Sequence, residues 1–540
     1  MSIGAALSDP HSARARTLAS DVRTDLQLRP CLAVVAVAAM SVTQRGGFSS
    51  LATAGVVTAL ALAITACMRG DRTFRVPAWW SSAALLLAAG IMAAESGYWF
   101  WLGESWRPLV VGIGSVLVAW GALSSQFRRR SMTAAVIGGS GLVLGAFGVF
   151  RTWLAFPERS AFYIVVRLGT AAGMGLLICS ALRPPSLETR RLRGLAIAVF
   201  VAAAVVRHAT VLASPDPIID VYGWLREAPA HLLAGKNPYA ARYANVYGCE
   251  RARKYGAFNP ESDPHPAAYP PLPVLVALPF AGIGVDVRLA NVWCDLIAAY
   301  VLLSAGRRRG NSQAALLLAA AYLNLPSAPY LLENAWYEPM LAATLGGGLL
   351  LAERGGRLGM VLLAFGLTGK QFGVAMLMPL LKGLRGRRGI LIGATATVVL
   401  LTMFPFWVWD SHSFMNVVVW KQLDRAVDVN ANTLFGAVRH WFGWSVSRDA
   451  ALLLAAGLIV LLGRATPPTG VGVALWMGTS LLALLFCNSV AFFNYFYLVE
   501  YLLLLGAAGS VLPDAGAAIL ATERSSALDV LEESAKKAAA

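Results

Sequence analysis

Long apolar runs separated by short basic stretches fill the chain from residue 31 to residue 512. A helix that crosses a bilayer needs about 20 apolar residues, because roughly 30 Å of hydrocarbon must be spanned with every backbone group bonded internally. Many of the runs reach that length. The basic stretches give them direction, since Arg and Lys collect on the inner side of a membrane. Arg69, Arg72 and Arg75 mark one inner loop; residues 127–130, 183–193, 306–311, 353–357 and 382–389 mark five more. The stretch between two of these, 95–106, is aromatic and poor in Arg, and is assigned to the outside.

With the N-terminus inside, about six crossings fill residues 31–182 and a seventh, 193–213, leads out. A polar insert follows, from 214 to about 270. The next apolar piece, 271–285, is short and rich in Pro and Gly, so it is expected to lie along the outer surface; 287–306 then crosses inward and keeps Arg307, Arg308 and Arg309 inside. Between the basic flanks at 353–357 and 382–389 the pattern predicts two short helices, broken at 368–373 by Gly369 and Gly373. Further crossings are expected near 389–409, 450–463, 470–487 and 491–512, with a second outer loop at 410–449. In that loop an amphipathic run from Phe414 to Val427 is expected to rest on the membrane, apolar side down.

The expectation is an all-α polytopic membrane protein of about 16 transmembrane helices, with two outer loops carrying juxtamembrane helices. Its parts are a cytoplasmic tail (1–30), a six-helix membrane module (31–192), a membrane core (193–512, with outer loops 214–286 and 410–449) and a second cytoplasmic tail (513–540).

Composition agrees: 57% of residues are hydrophobic and 14% charged, against about 25% charged in a soluble domain. The net charge of +16 lies in the inter-helix clusters, which points to the bilayer and not to nucleic acid. Of six Cys, only Cys249 lies in the large polar loop, so that loop closes no disulfide on itself, and the chain carries no zinc-type spacing.

Candidate chemistry gathers at the outer ends of the runs. Asp220 follows a crossing by a few residues and precedes the helical pattern Trp224, Leu225, Ala228, Leu232. It reads either as the cap of that helix or as a general base held at the lipid surface. Lys370 interrupts an apolar run, where a Lys faces a partner or a wet cavity. It reads as a ligand for phosphate or as half of an ion pair with Glu500. Arg207 and Arg242 are further phosphate candidates. Asp295, inside a crossing, reads as a polar contact between helices. The tyrosines of 239–247, Tyr239 first, suit either sugar stacking or interfacial anchoring. His231 and His265 read as surface residues of the large loop sooner than as metal ligands.

The segments "DVYGW…LLAGKNPY" (220–239) and "YPPLPVL" (269–275) resemble the first outer loop of the GT-C glycosyltransferase superfamily, in particular the bacterial transferases that use polyprenol-phosphate-mannose or a similar lipid-linked sugar. "LTGKQFGVAMLMPLL" resembles their double short helix with a Lys at the turn, and "CNSVAFFNYFYLV" (487–499) an aromatic turn before their last helix. The resemblance covers residues 193–512 and implies a GT-C-like helical bundle in a bacterial plasma membrane, with its active site on the periplasmic or extracellular face. It further implies transfer of mannose or arabinofuranose from a polyprenyl-phosphate donor to a glycan or glycolipid acceptor, inverting at C1. Asp220 would then be the base, and Glu333 or Glu338 would orient the acceptor or hold a divalent cation. Lys370 would meet the phosphate, with Tyr269, Gln371 and His265 as donor contacts. No cofactor is required, because the lipid carries the activated sugar. The chain departs from the family in its extra N-terminal crossings and in offering Glu where an Asp is commoner. The competing class is a transporter or flippase for an amphiphile; matched repeats with charges near the midplane would mark one, whereas the polar insert here is asymmetric.

Overall fold

The computed structural model describes residues 32–37, 40, 50–68, 154, 160–182, 189–243, 246, 269–325, 327–420, 433–444, 446–466, 472–488, 491 and 493–510. Regular structure among them is helical: α1 (Ser50–Met68), α2 (Ala161–Leu182), α3 (Thr189–Ala213), α4 (Asp220–Leu233), α5 (Leu272–Gly282), α6 (Arg288–Arg308), α7 (Ser312–Leu323), α8 (Ser327–Glu333) and α9 (Glu338–Ala352). There follow α10 (Arg357–Thr368), a 3-10 turn (Gln371–Gly373), α11 (Val374–Gly383), α12 (Arg388–Thr402), α13 (Phe404–Trp409), α14 (Ser411–Met415) running into a π turn (Asn416–Trp420), α15 (Leu434–Phe442), α16 (Arg448–Ala465), α17 (Val473–Phe486) and α18 (Phe493–Ser510).

Three stretches are long and apolar enough to cross a membrane: 191–213 in α3, α6 itself, and 385–409 through α12 and α13. A fourth is reached if α7 and α8 form one bent span. The expected count of about 16 is therefore not reached among the described residues. Most of the six-crossing module lies outside them, with α1 and α2 its longest described pieces, and both tails lie outside as well. Within the core, many apolar runs are divided into short helices. At 1.5 Å per residue the 15 residues of α9 span about 22 Å, and the 12 of α10 about 18 Å, each short of the hydrocarbon thickness.

The arrangement expected around 369–373 is present: α10 ends at Thr368, Lys370 is extended, and α11 begins at Val374. Gly373 is required there by space. A Cβ on it would stand 1.9 Å from the Leu367 carbonyl oxygen. α5, at 11 residues, is too short to span the bilayer, in keeping with a surface course, and α6 is the helix that can cross.

α6, α7, α9, α10, α11, α17 and α18 share one apolar core. Glycines let their backbones approach, as small residues do where lipid supplies no hydrophobic drive between helices. A Cβ on Gly359 would lie 2.5 Å from the Ala352 nitrogen and 2.8 Å from the Gly348 oxygen, so α9 and α10 touch along their backbones. The outer faces are apolar too. Trp293, Ile297 and Tyr300 form an exposed stripe on α6, and Ile390, Ile392, Leu400 and Leu401 are exposed on α12. Exposed apolar stripes of this kind are suited to contact with a bilayer or a protein partner.

Candidate functional site

α9 begins at Glu338, and its first turn places that carboxylate at the positive end of the helix. The preceding loop, Asn334–Tyr337, turns sharply through Ala335, whose φ of 60° lies in the left-handed region. Ala335 and Trp336 donate to the carbonyls of Leu332 and Leu331, which close α8 and deliver Tyr337 and Glu338 together into the interior. A left-handed Ala costs about 1–2 kcal/mol, and its place between Glu333 and Glu338 puts that strain at the site.

Lys370 reaches Glu338 from the break between α10 and the 3-10 turn, and the two form a buried ion pair. Lys370 is 4% and Glu338 0% exposed. The ammonium is enclosed by aromatic faces: its nitrogen lies 4.3 Å from the ring centre of Tyr495, 4.9 Å from Tyr337, 5.1 Å from Phe372 and 5.5 Å from Tyr269. Asn494, from the start of α18, donates to Glu338 Oε1 at 2.9 Å. Three polar atoms of this chamber are buried without a hydrogen-bond partner: Glu338 Oε2, the Tyr337 hydroxyl and Asn494 Oδ1. Buried polar groups in folded proteins are mostly hydrogen-bonded, so these atoms have unused capacity for a polar group or water. Glu338 is thus the partner of Lys370, and the expected pair with Glu500 does not form.

The aromatic wall of this chamber continues to α4 through packed rings. Tyr269 packs on Tyr337, with ring centres 5.2 Å apart, and on Trp224 of α4 at 5.5 Å. Asp220 stands one helical turn before Trp224 on the same face. It is half-buried and is the first residue of α4, while Ile219 holds the cap position. The capping role is therefore not the one Asp220 fills; its Oδ1 accepts from the Val221 N–H at 2.8 Å.

Tyr239 lies beneath this layer. Its hydroxyl donates to the Tyr269 carbonyl at 2.9 Å, and its ring meets Phe406 and Phe414. Burial, with Tyr243 nearby, pushes its hydroxyl well above the ordinary tyrosine pKa, so it stays protonated as a donor. It is a support for Tyr269, buried away from any sugar face. Gln371 donates to the Val418 carbonyl at 3.2 Å and ties the π turn to the 3-10 turn. The run beginning at Phe414 was expected to lie apolar side down on the membrane. In its described part, Phe414, Val417 and Val418 instead pack into the cluster of Trp224, Leu225 and Tyr239; residues 421–427 lie outside the described residues.

Other candidates are placed elsewhere. Arg207 is fully buried and donates through Nε to Asp295 at 2.5 Å and through both terminal nitrogens to the Leu323 carbonyl at 3.2 Å. Tyr497 donates to the same carboxylate at 2.6 Å, and Tyr322 does so as well. A carboxylate in a crossing requires a counter-charge. Arg207 meets that need and is not turned to a phosphate. Asp295 is the inter-helix polar contact expected. Glu333 is buried at the end of α8, Arg242 is exposed, and His265 lies outside the described residues. No group of three residues suited to a metal occurs among the described residues.

Arg288 was not singled out from the sequence. It is fully buried at the start of α6 and donates to the carbonyls of Ser214 at 2.7 Å, Glu333 at 3.2 Å and Val211 at 3.2 Å, while pairing with Asp286 at 2.6 Å. Its guanidinium lies 4.7 Å from the Tyr222 ring centre. One side chain thus ties the ends of α3 and α8 and the face of α4 to α6. No family model, curated protein or solved structure matches this chain.

Proposed function

We propose that the protein is an integral membrane glycosyltransferase that moves a sugar from a polyprenyl-phosphate donor to an envelope glycan or glycolipid. The observation that carries this reading is the convergence of Lys370, Glu338 and Tyr269, one ring layer from the helix that Asp220 opens. In this reading the phosphate of the donor draws Lys370 from Glu338. The freed carboxylate, with the orphaned Tyr337 hydroxyl and Asn494 oxygen, then holds sugar or acceptor hydroxyls. Asp220 takes the proton of the attacking hydroxyl, that oxygen bonds to C1 from the face opposite the phosphate, and polyprenyl phosphate leaves. Mannose and arabinofuranose are the donor sugars expected, and the outer face of a bacterial plasma membrane the location.

A transporter reading would draw on the buried charges of α3 and α6. Those charges are saturated by one another and by two tyrosines, which favours a structural role. The test is reconstitution. Protein in nanodiscs with a polyprenyl-phosphate sugar and a glycan acceptor should form product, and Asp220→Asn should lower the rate about 10²–10⁴-fold with folding retained. Movement of the lipid-linked sugar across sealed vesicles, with no product and no effect of Asp220→Asn, would replace the enzyme by a transporter.

A further inference from the structure

The opposite ends of α6 and α9 from the Lys370 chamber carry a second polar concavity. Its walls are the last residues of α6 (Arg308, Arg309), the end of α9 (Glu353) and the link between α11 and α12 (Leu384, Arg385, Arg387), around a space of about 610 Å³. Four guanidinium groups face one carboxylate, and that carboxylate is paired with Arg309 at 3.3 Å.

Two of the arginines are held in place by backbone. Arg308 donates to the Leu350 carbonyl at 3.0 Å and Arg387 to that of Ala352 at 2.5 Å, so carbonyls of the last turn of α9 orient them. The turn after α9 keeps the wall open: Gly355 has φ +83°, and a Cβ there would stand 3.2 Å from Arg387 Nη2. Each guanidinium has five N–H donors, and these bonds use one apiece. Arg385 makes no hydrogen bond or ion pair among the described residues. A positive cluster with spare donors, oriented from two helix ends, is a receptor for a phosphate-type anion.

The surroundings select its source. Leu349, Ala352 and Leu384 give the concavity an apolar side. α12 departs from its rim with Ile390 and Ile392 exposed. A free anion has no use for that surface, whereas a lipid puts its headgroup in the concavity and its chains along α12. We infer that this concavity binds the phosphorylated headgroup of an anionic membrane lipid, separately from the donor site.

The test uses the full chain in detergent micelles with equal phosphatidylglycerol and phosphatidylcholine, and bound lipid is read by native mass spectrometry. Phosphatidylglycerol should be retained over phosphatidylcholine. Replacing Arg309→Gln and Arg385→Gln together, both exposed side chains, should weaken its retention about 25-fold, at about fivefold per arginine. Thermal unfolding in phosphatidylcholine micelles should not change. If the double variant fails to fold, Arg385→Gln alone should show the fivefold loss. Equal retention of the two lipids, or retention untouched by the substitutions, overturns the proposal. Displacement of phosphatidylglycerol by inorganic phosphate at equal concentration overturns the assignment to a lipid.

Discussion

Lys370 shows how a single charged side chain becomes informative when its surroundings are apolar. Its place in an apolar run already demanded a partner; which partner depended on packing between segments far apart in the chain. Glu338 stands five residues beyond Glu333, with nothing in the local pattern to separate them, and the left-handed turn at Ala335 lies between the two. Asn494 and Tyr495, within the aromatic stretch 487–499, are walls of the chamber. Removing one member of a buried ion pair leaves an uncompensated charge and costs about 3–5 kcal/mol, while replacing both with apolar groups is close to neutral. Lys370→Met and Glu338→Leu should therefore each lower the unfolding temperature, and the double variant should regain most of the loss while remaining inactive; equal losses in all three would remove the pairing. Ala335→Gly should stabilise by about 1 kcal/mol in chemical denaturation, because only the strain of the left-handed backbone is relieved.

Elements were legible where a breaker residue marks them. Gly369 and Gly373 foretold the interruption before α11, and the Pro-rich start of α5 foretold a helix too short to cross. Apolar length alone was a poorer guide, because hydropathy does not register where a run divides into two helices. Amphipathic periodicity says which side of a helix is apolar and not what covers it. The side beginning at Phe414 is covered by Tyr239 and its neighbours instead of lipid. In most helices Gly→Ala gains about 1 kcal/mol. Gly359→Ala should instead destabilise by about 1–3 kcal/mol, since backbone atoms of Gly348 and Ala352 occupy the space; an unchanged or higher melting temperature would contradict the close contact of α9 and α10. Asp410 caps α14, and the bonds from Ser413, side chain first and then backbone, hold its pKa below the ordinary aspartate value of about 3.9. A depressed carboxylate contributes stability above its unfolded pKa and loses it as pH falls through the folded one. Amide exchange at Ser413 should accordingly be insensitive to this group near neutrality and rise relative to Asp410→Asn only below about pH 4.

Over the whole molecule, the described parts of segments 214–286 and 410–449 and the helix ends beside them form one connected structure. Arg288 joins α3, α4, α6 and α8, Gln371 joins the 3-10 turn to the π turn, and Tyr239 carries Tyr269. None of these links follows from a local pattern, since each bridges segments that only the folded bundle brings together. The central claim is that Lys370 receives the phosphate of a lipid-linked sugar, in exchange for Glu338. The most direct measurement is the affinity of the purified chain for radiolabelled polyprenyl phosphate, compared with Lys370→Met and Glu338→Gln. Binding should weaken at least about tenfold in Lys370→Met, which removes a charge-assisted bond, and should hold or tighten in Glu338→Gln, where the lysine no longer has a competing carboxylate. Equal affinity for the wild-type chain and Lys370→Met would contradict the account.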